Sequence, residues 1–227
     1  MVLISKLSAD IHEGDLHTFI NPYSYLLLRN NDSVFKEMDH ILVDGELMVK
    51  LLKWIGVAAV TRTSFDMTSL APFIFREAEE KGSSLYFVGS KQQEITASVK
   101  AILKVYPSLN ISRYRNGYFN GEMDAELELV LELDPDIVIA GLGTPLQEEF
   151  LIKLKKKGWK GTGFTCGGFL HQTSSGIEYY PKWINKYNLR WAYRIYDEPK
   201  LFGRYFLDYP KAVVLILWDL KIKRYFK

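Results

Sequence analysis

Asp44 lies directly after the apolar run ILV and directly before Gly45, a position that suits chemistry. A carboxylate held at a strand end in a partly dry cleft can take the proton of a hydroxyl, which is general-base work. The same side chain is equally suited to cap a helix starting at Glu46, and both readings stand. Two glycine turns follow other apolar runs: Gly141-Leu142-Gly143 after IVIA, and Gly167-Gly168 after FTC. Glycines let a phosphate or a sugar approach the backbone, and the helix N-termini behind them offer amides and a positive dipole. Gln147, in the first turn of the helix after Gly143, is a candidate contact to a uracil or a sugar, or an ordinary first-turn polar residue. Arg62 and Asp66 in TRTSFDM are either a charged pair capping a helix from Thr68 or an arginine aimed at a diphosphate. His171 follows the second glycine turn as a catalytic candidate, while Cys166 ends an apolar strand and reads as a small buried hydrophobe. Asp134-Pro135-Asp136 has the spacing of a metal-holding pair, but it opens a strand at the far edge, where Asp-Pro turns the chain.

Short β-rich runs alternate with periodic stretches over the first 170 residues, and this alternation must position those groups. The strands are expected at His17–Ile20, His40–Val43, Ser84–Val88, Asn110–Tyr114, Asp136–Ala140 and Gly161–Cys166. Helices are expected at Pro22–Arg29, Glu46–Ile55, Thr68–Lys81, Lys91–Tyr106, Glu122–Leu133 and Pro145–Lys157. Asn21-Pro22 and Thr144-Pro145 each place an N-cap side chain before a proline at the first helical position. The pattern predicts a Rossmann-like α/β fold, a mostly parallel sheet with helices on both faces. In such a sheet ligands bind beyond the carboxyl ends of the strands. Asn21, Asp44, Gly89, Gly141 to Gly143 and Gly167-Gly168 should then line one crevice.

The 227 residues carry a formal charge of +2, which hides two unlike parts. Residues 1–180 hold 18 Lys and Arg against 23 Asp and Glu, a net of −5; residues 181–227 hold 11 against 4, a net of +7. Those last 47 residues also hold 12 of the 32 aromatics, among them Trp183, Trp191, Tyr205, Phe206, Trp218 and Phe226. A basic, aromatic-rich tail on an acidic body implies an anionic partner, and an interfacial helix on an anionic membrane explains the composition. A helix docked on the body with its cations in solvent is the alternative. We divide the chain into an α/β catalytic domain, 1–180, and a short helical C-terminal appendage, 181–227. The single Cys166 excludes a disulfide framework, and the four histidines show no metal-ligand spacing, so neither metal nor cofactor is expected. The N-terminus lacks the pattern of a signal peptide, and the run Ala212 to Trp218 is too short to span a bilayer. A cytoplasmic protein is expected.

Taken in order, these pieces resemble the WecG/TagA/CpsF glycosyltransferases, glycosyltransferase family 26. The carriers are Asn21, VDGELMV around Asp44, the Arg62–Asp66 segment, FVGSK at 87–91, NGYF at 116–119, GLGTPLQEEF at 141–150, CGGF at 166–169, PKW at 181–183 and LRWAYRIYDEPKLFGRYF at 189–206. The resemblance implies metal-independent, inverting transfer from a UDP-sugar to a polyprenyl-diphosphate-linked acceptor sugar, by a peripheral protein at the inner membrane face. It implies Asp44 as catalytic base, Asn21, Arg62 and Gln147 as holders of the donor and its diphosphate, and appendage arginines that close over the site. Arg190, Arg194 and Arg204 are the candidates for closure.

Three departures touch the sugar-binding region. Phe19-Ile20-Asn21 stands where the family often has Thr-x-Asn, Arg62 to Asp66 is one residue short of the usual spacing, and His171 replaces an aspartate. N-acetylmannosamine, its uronic acid, glucose and glucuronic acid remain open as donor sugars, and so does a homo-oligomer. A nicotinamide-dependent oxidoreductase is the runner-up; it needs a glycine cluster after the first strand, and none follows Ile20. A nucleic-acid-binding module would leave the strand-end polar set unexplained, so no nucleic acid partner is expected.

Overall fold

The computed structural model describes residues 6–7, 10–57, 60–187 and 189–222. Six strands, β1 (Leu16–Ile20), β2 (His40–Val43), β3 (Ser84–Gly89), β4 (Asn110–Arg115), β5 (Ile137–Gly141) and β6 (Thr162–Thr165), form one sheet in the order β2-β1-β6-β5-β3-β4. Every neighbouring pair is parallel, as the alternating pattern predicts. The central strands are buried on both sides, so successive side chains enter opposite cores. Tyr86, Val88, Val138 and Ala140 pack on one face; Leu85, Phe87, Ile139 and Phe164 pack on the other.

Helices α1 (Pro22–Leu28), α2 (Asp32–Glu37), α3 (Glu46–Trp54), α6 (Met123–Leu133) and α7 (Leu146–Lys156) cover the first face. Helices α4 (Ala71–Lys81), α5 (Gln92–Val105) and α8 (Phe169–Ser174) cover the second. Asn21 caps α1 as expected: its Oδ1 accepts from the Ser24 amide at 3.0 Å, and Ser24 Oγ accepts from the Asn21 amide at 2.8 Å. Three expectations change. Helix α2 is an addition to the expected elements, since six residues give too little periodicity; its signal is Asn31, whose Oδ1 accepts from the Val34 amide. Helix α4 starts at Ala71 and not at Thr68, because Asp66 Oδ1 accepts from both the amide and the hydroxyl of Thr68 and folds a turn there. Thr144 does not cap α7. Pro145 occupies the cap position, and the Thr144 hydroxyl donates to Glu148 Oε1 at 3.2 Å instead.

Beyond residue 180 come α9 (Lys182–Lys186), α10 (Arg190–Asp197), a 3-10 turn at Pro199–Leu201, and a helical stretch over 202–222. Its regular part is α11 (Tyr209–Leu217), flanked by wider π-helical turns at Arg204–Asp208 and Trp218–Ile222. Ala212, Ile216 and Leu220 enter the core of the first face. Arg29 Nε and Nη2 donate to the two oxygens of Asp219 at 2.9 Å each, and the Tyr25 hydroxyl donates to Oδ2 at 2.9 Å. This bidentate pair fixes the last helix on α1. The opposite side leaves Leu207, Val214 and Trp218 exposed. No described helix is long and apolar enough to cross a membrane. Phe226, part of the aromatic tail, lies outside the described residues.

Candidate active site

The chain leaves β1 and β5 towards the first face, whereas β6, between them, sends α8 to the second. Such a switch opens a crevice at the carboxyl ends of the strands. A cleft of about 560 Å³ occupies it. Asn21, Asp44, Gly143, Thr144, Gln147, Gly167 and Gly168 line it from the sheet, Ser90, Lys91 and Glu94 from the β3 side, and Arg194, Glu198, Lys200, Arg204, Tyr205 and Tyr209 from the C-terminal segment.

Asp44 stands at the end of β2, its amide donating to Ile20 O at 2.8 Å. It does not cap α3: Gly45 holds the cap position, with no side-chain cap bond. About a third of the side chain faces the cleft, 35%, and protein surrounds the rest. Burial pushes its carboxyl above the usual carboxylate range, against the pull of Arg62, whose Nη2 lies 3.9 Å away, while Asp66 adds repulsion. A carboxylate with raised proton affinity, open to a cleft, is what a general base requires.

The segment after α3 brings Arg62 there by pairing with β2, the Thr63 amide donating to Val43 O at 2.9 Å. Arg62 Nη2 donates to Ser64 Oγ at 2.6 Å and to Asp66 Oδ2 at 2.9 Å. Burial opposes the charge of Asp66, but bonds from Ser64 and Thr68, with Arg62 beside them, outweigh it and hold its carboxyl below the usual range. The charged pair read from TRTSFDM therefore exists, and Arg62 sits behind Asp44, outside the cleft lining. Arg190 also stays behind the wall. Its Nε donates to Asn185 Oδ1 at 2.7 Å, its guanidinium covers the Tyr180 ring, and Nη1 lies 3.9 Å from Asp66.

Arg194 and Arg204 do reach the cleft. Arg194 Nη2 donates to Glu198 Oε1 at 2.9 Å, while its buried Nε has no partner among the described residues. A side chain at 168 would put its Cβ 3.2 Å from Arg194 Nη2, so the glycine there lets the guanidinium lie on the turn before α8. Arg204 stacks over the Tyr23 ring at 4.0 Å. A cation with an unused buried donor beside a glycine turn suits an anionic oxygen.

Gly141 was expected in the crevice, but it lies outside the lining. A Cβ there would stand 2.9 Å from Cys166 Sγ, and Gly89 packs on it so closely that its own Cβ would meet Gly141 O at 2.4 Å. These two glycines bring β3 and β5 together beneath the floor. Gln147 is held by its own surroundings: Oε1 accepts from the Gly167 amide at 3.2 Å, and Nε2 donates to Glu148 Oε1 and Thr144 Oγ1. It thereby fixes the second glycine turn against α7. Under it lies a group that sequence reading missed. Glu148 is fully buried, its Oε1 accepts from Thr18 at 2.9 Å, and its Oε2 has no partner among the described residues. Burial raises its pKa against the hydrogen bonds of Gln147 and Thr18. A polar set inside GTPLQEEF is visible in the sequence, but its meeting with Thr18, 130 positions away, and through it with Thr165 on β6, is not.

The sequence model of the WecG/TagA/CpsF glycosyl transferase family matches residues 3–226. The chain belongs to that family. Among its relatives is a UDP-Gal:alpha-D-GlcNAc-diphosphoundecaprenol beta-1,4-galactosyltransferase of Shigella boydii, 38% identical over 222 residues, covering 97% of this chain and 93% of the relative. Another is an N-acetylglucosaminyldiphosphoundecaprenol N-acetyl-beta-D-mannosaminyltransferase of Bacillus subtilis (strain 168), 26% identical over 233 residues, covering 98% and 87%. An enzyme with that same name from Bacillus spizizenii is 27% identical over 188 residues, covering 82% and 71%. Within this family frame the nicotinamide reading has no footing: β1 runs straight into Asn21-Pro22, without the glycine turn that a dinucleotide needs.

Proposed function

We propose that this glycosyltransferase moves a sugar from a UDP-sugar to an N-acetylglucosamine carried on polyprenyl diphosphate, in cell-surface polysaccharide assembly. The observation that carries this reading is the meeting, in one cleft, of a recessed carboxylate of raised proton affinity with two arginines from the C-terminal segment. The acceptor hydroxyl gives its proton to Asp44 while its oxygen attacks the anomeric carbon. The bond from that carbon to the UDP oxygen breaks, and its electron pair leaves with the diphosphate. Arg194 and Arg204 meet the charge that develops there, without a role for a metal ion. Attack opposite to departure inverts the anomeric centre. Asn21 orients Asp44, Arg62 keeps it ionisable, and Gly143, Gly167 and Gly168 leave room for the donor.

The Shigella boydii relative transfers galactose, a sugar outside the four that the resemblance left open, and its similarity to this chain makes UDP-galactose the first donor to try. Residues 1–180 act as the catalytic body and residues 181–227 as the appendage that closes the site and meets the inner face of the cell membrane. Trp183, Trp191, Phe202, Phe206 and Trp218 stand exposed on that appendage, in keeping with an interfacial anchor for an enzyme whose acceptor is embedded in lipid.

The test is a panel of UDP-sugars with a short-chain polyprenyl-diphosphate N-acetylglucosamine, read by mass spectrometry. A gain of one hexose from UDP-galactose is expected. Absence of any sugar transfer across the panel would overturn the reading.

A further inference from the structure

His171 sits on α8 in the wall of the cleft and faces three carboxylates from two other parts of the chain. Its Nδ1 lies 3.1 Å from Glu94 Oε1, in the first turn of α5. Its Nε2 lies 3.7 Å from Glu198 Oε1 and 3.8 Å from Asp197 Oδ2, at the end of α10. We propose that His171 is a positioning residue that clasps the C-terminal segment onto the body when both of its ring nitrogens carry protons.

Each carboxylate is already oriented by other donors. Ser90 Oγ and the Lys91 amide donate to Glu94 Oε2, which leaves Oε1 for the imidazole. Arg194 Nη2 lies 2.9 Å from Glu198 Oε1, Lys200 Nζ 3.0 Å from its Oε2, and the Tyr179 hydroxyl donates to Asp197. Burial works against the charges of Glu94 and Glu198, but those donors outweigh it and hold both carboxyls below the usual range. The charged groups around the ring are thus Glu94 and Lys91 from α5, Asp197, Glu198 and Arg194 from α10, and Lys200 after it. Imidazole is the side-chain type whose ordinary change of charge falls nearest neutrality. A neutral imidazole has one N–H and serves one side; an imidazolium has two and a positive charge, and holds both. At 3.7 and 3.8 Å the contacts to α10 act through charge, not through hydrogen bonds, so they depend on that proton.

The clasp reaches the cleft through Arg194. Glu198 lies one turn after Arg194 on the same segment, and the two are paired. Holding Glu198 therefore holds the Arg194 guanidinium on the Gly168 turn.

The experiment is amide hydrogen exchange of the full chain over residues 190–201, at about pH 6 and about pH 8, corrected for intrinsic exchange. Wild type is expected to lose about twofold to fivefold of its protection across that interval, the worth of one partly exposed ion pair. His171→Gln should show the lower protection at both pH values. Should that variant not fold, Asp197→Asn, which keeps an acceptor for Tyr179 and removes one of the two carboxylates that face Nε2, should shrink the same step. In steady-state assays with UDP-galactose, His171→Gln should raise KM several-fold more at about pH 6 than at about pH 8, with a smaller change in kcat. A pH step in protection that keeps its full size in His171→Gln or Asp197→Asn would overturn the proposal. The effect on KM rests on the proposed function; the exchange result does not, so the two can fail separately.

Discussion

The sheet has a cavity at each end, and the two are nearly equal in volume: about 560 Å³ at the carboxyl ends of the strands and about 550 Å³ at the amino ends. Both are rich in titratable groups. At the amino end these groups serve one another. Asp136 Oδ2 accepts from the amide and hydroxyl of Ser84, Trp159 Nε1 donates to Pro135 O, and His40 Nε2 lies 2.8 Å from Asp15 Oδ2. The rings of His12 and His17 each lie 4.9 Å from that of His40, yet no group of ligating side chains among the described residues has a geometry to hold a metal ion. The buried atom near that end with no partner among the described residues, His17 Nδ1, belongs to a ring that burial, helped by His40, holds neutral down to about pH 4. At the carboxyl end the buried atoms without a partner among the described residues are Arg194 Nε and Glu148 Oε2, and burial raises the carboxyl of Asp44. Volume does not distinguish the two ends; unused charge does. A fold that only had to be stable would not keep a recessed carboxylate and an incompletely bonded guanidinium in one cleft.

The largest expected effect comes from Asp44→Asn, which should lower kcat by about 10²- to 10⁴-fold, measured with the transferase assay. Its melting temperature should not fall. Because the carboxyl of Asp44 is raised in the folded chain, the folded state binds its proton more tightly than the unfolded state does. Stability is therefore lost as pH rises through the interval between the usual carboxylate value and the raised one, and the ionised working form is the costly one. A variant that loses both turnover and stability would show instead that Asp44 is structural. Next, Arg194→Ala should lower kcat/KM by about 10²-fold, and Arg194→Lys should restore little, since a point charge does not reproduce the planar donor set.

The amino end should respond in the opposite currency. His17 has a folded pKa near 4 against 6.5 for the free side chain, so the unfolded chain takes up more protons in that interval. Stability should fall as pH drops from about 6.5 towards 4, by of order 2–3 kcal/mol at the lower limit, and His17→Phe should flatten that fall without touching kcat near neutral pH. Urea titrations at several pH values measure it. An unchanged acid limb in the variant would place the acid sensitivity elsewhere. Smallest of all, Asp136→Asn should cost about 1 kcal/mol through its bonds to Ser84 and leave kcat within twofold. A large loss of activity there would break the contrast between the two ends.

The positions of the strands were legible because a parallel sheet buried on both faces demands runs such as LYFVG and IVIAG, and each strand forms within one residue of where those runs lie. Asn21 as a cap and Asp44 at a strand end were legible for the same local reason: both depend on what lies within four residues of them. The failures are local signals overruled by distant partners. Thr144 gave up the cap of α7 to reach Glu148, and Asp66 gathered Thr68 and Arg62 into a turn before α4 could begin. Gly141 looked like part of a ligand loop and instead lets β3 and β5 touch.

The amino-acid sequence by itself determined the α/β alternation, the acid body with its basic aromatic tail, and the strand ends at which chemistry would occur, since periodicity, composition and turn residues act over a few neighbours. Only the tertiary structure decided which groups share the cleft. Strand order placed β6 between β1 and β5 and so joined Thr18, Thr165 and Glu148 beneath the floor. Docking of the 202–222 stretch on α1, through Ala212 and Ile216 of α11 and Asp219 of the turn after it, turned the C-terminal segment back over the sheet. That return brought Arg194 and Arg204 into the cleft, kept Arg62 and Arg190 behind its wall, and set His171 among three carboxylates. Contacts between residues so far apart in the chain are fixed by the packing of whole elements, and no local pattern encodes them.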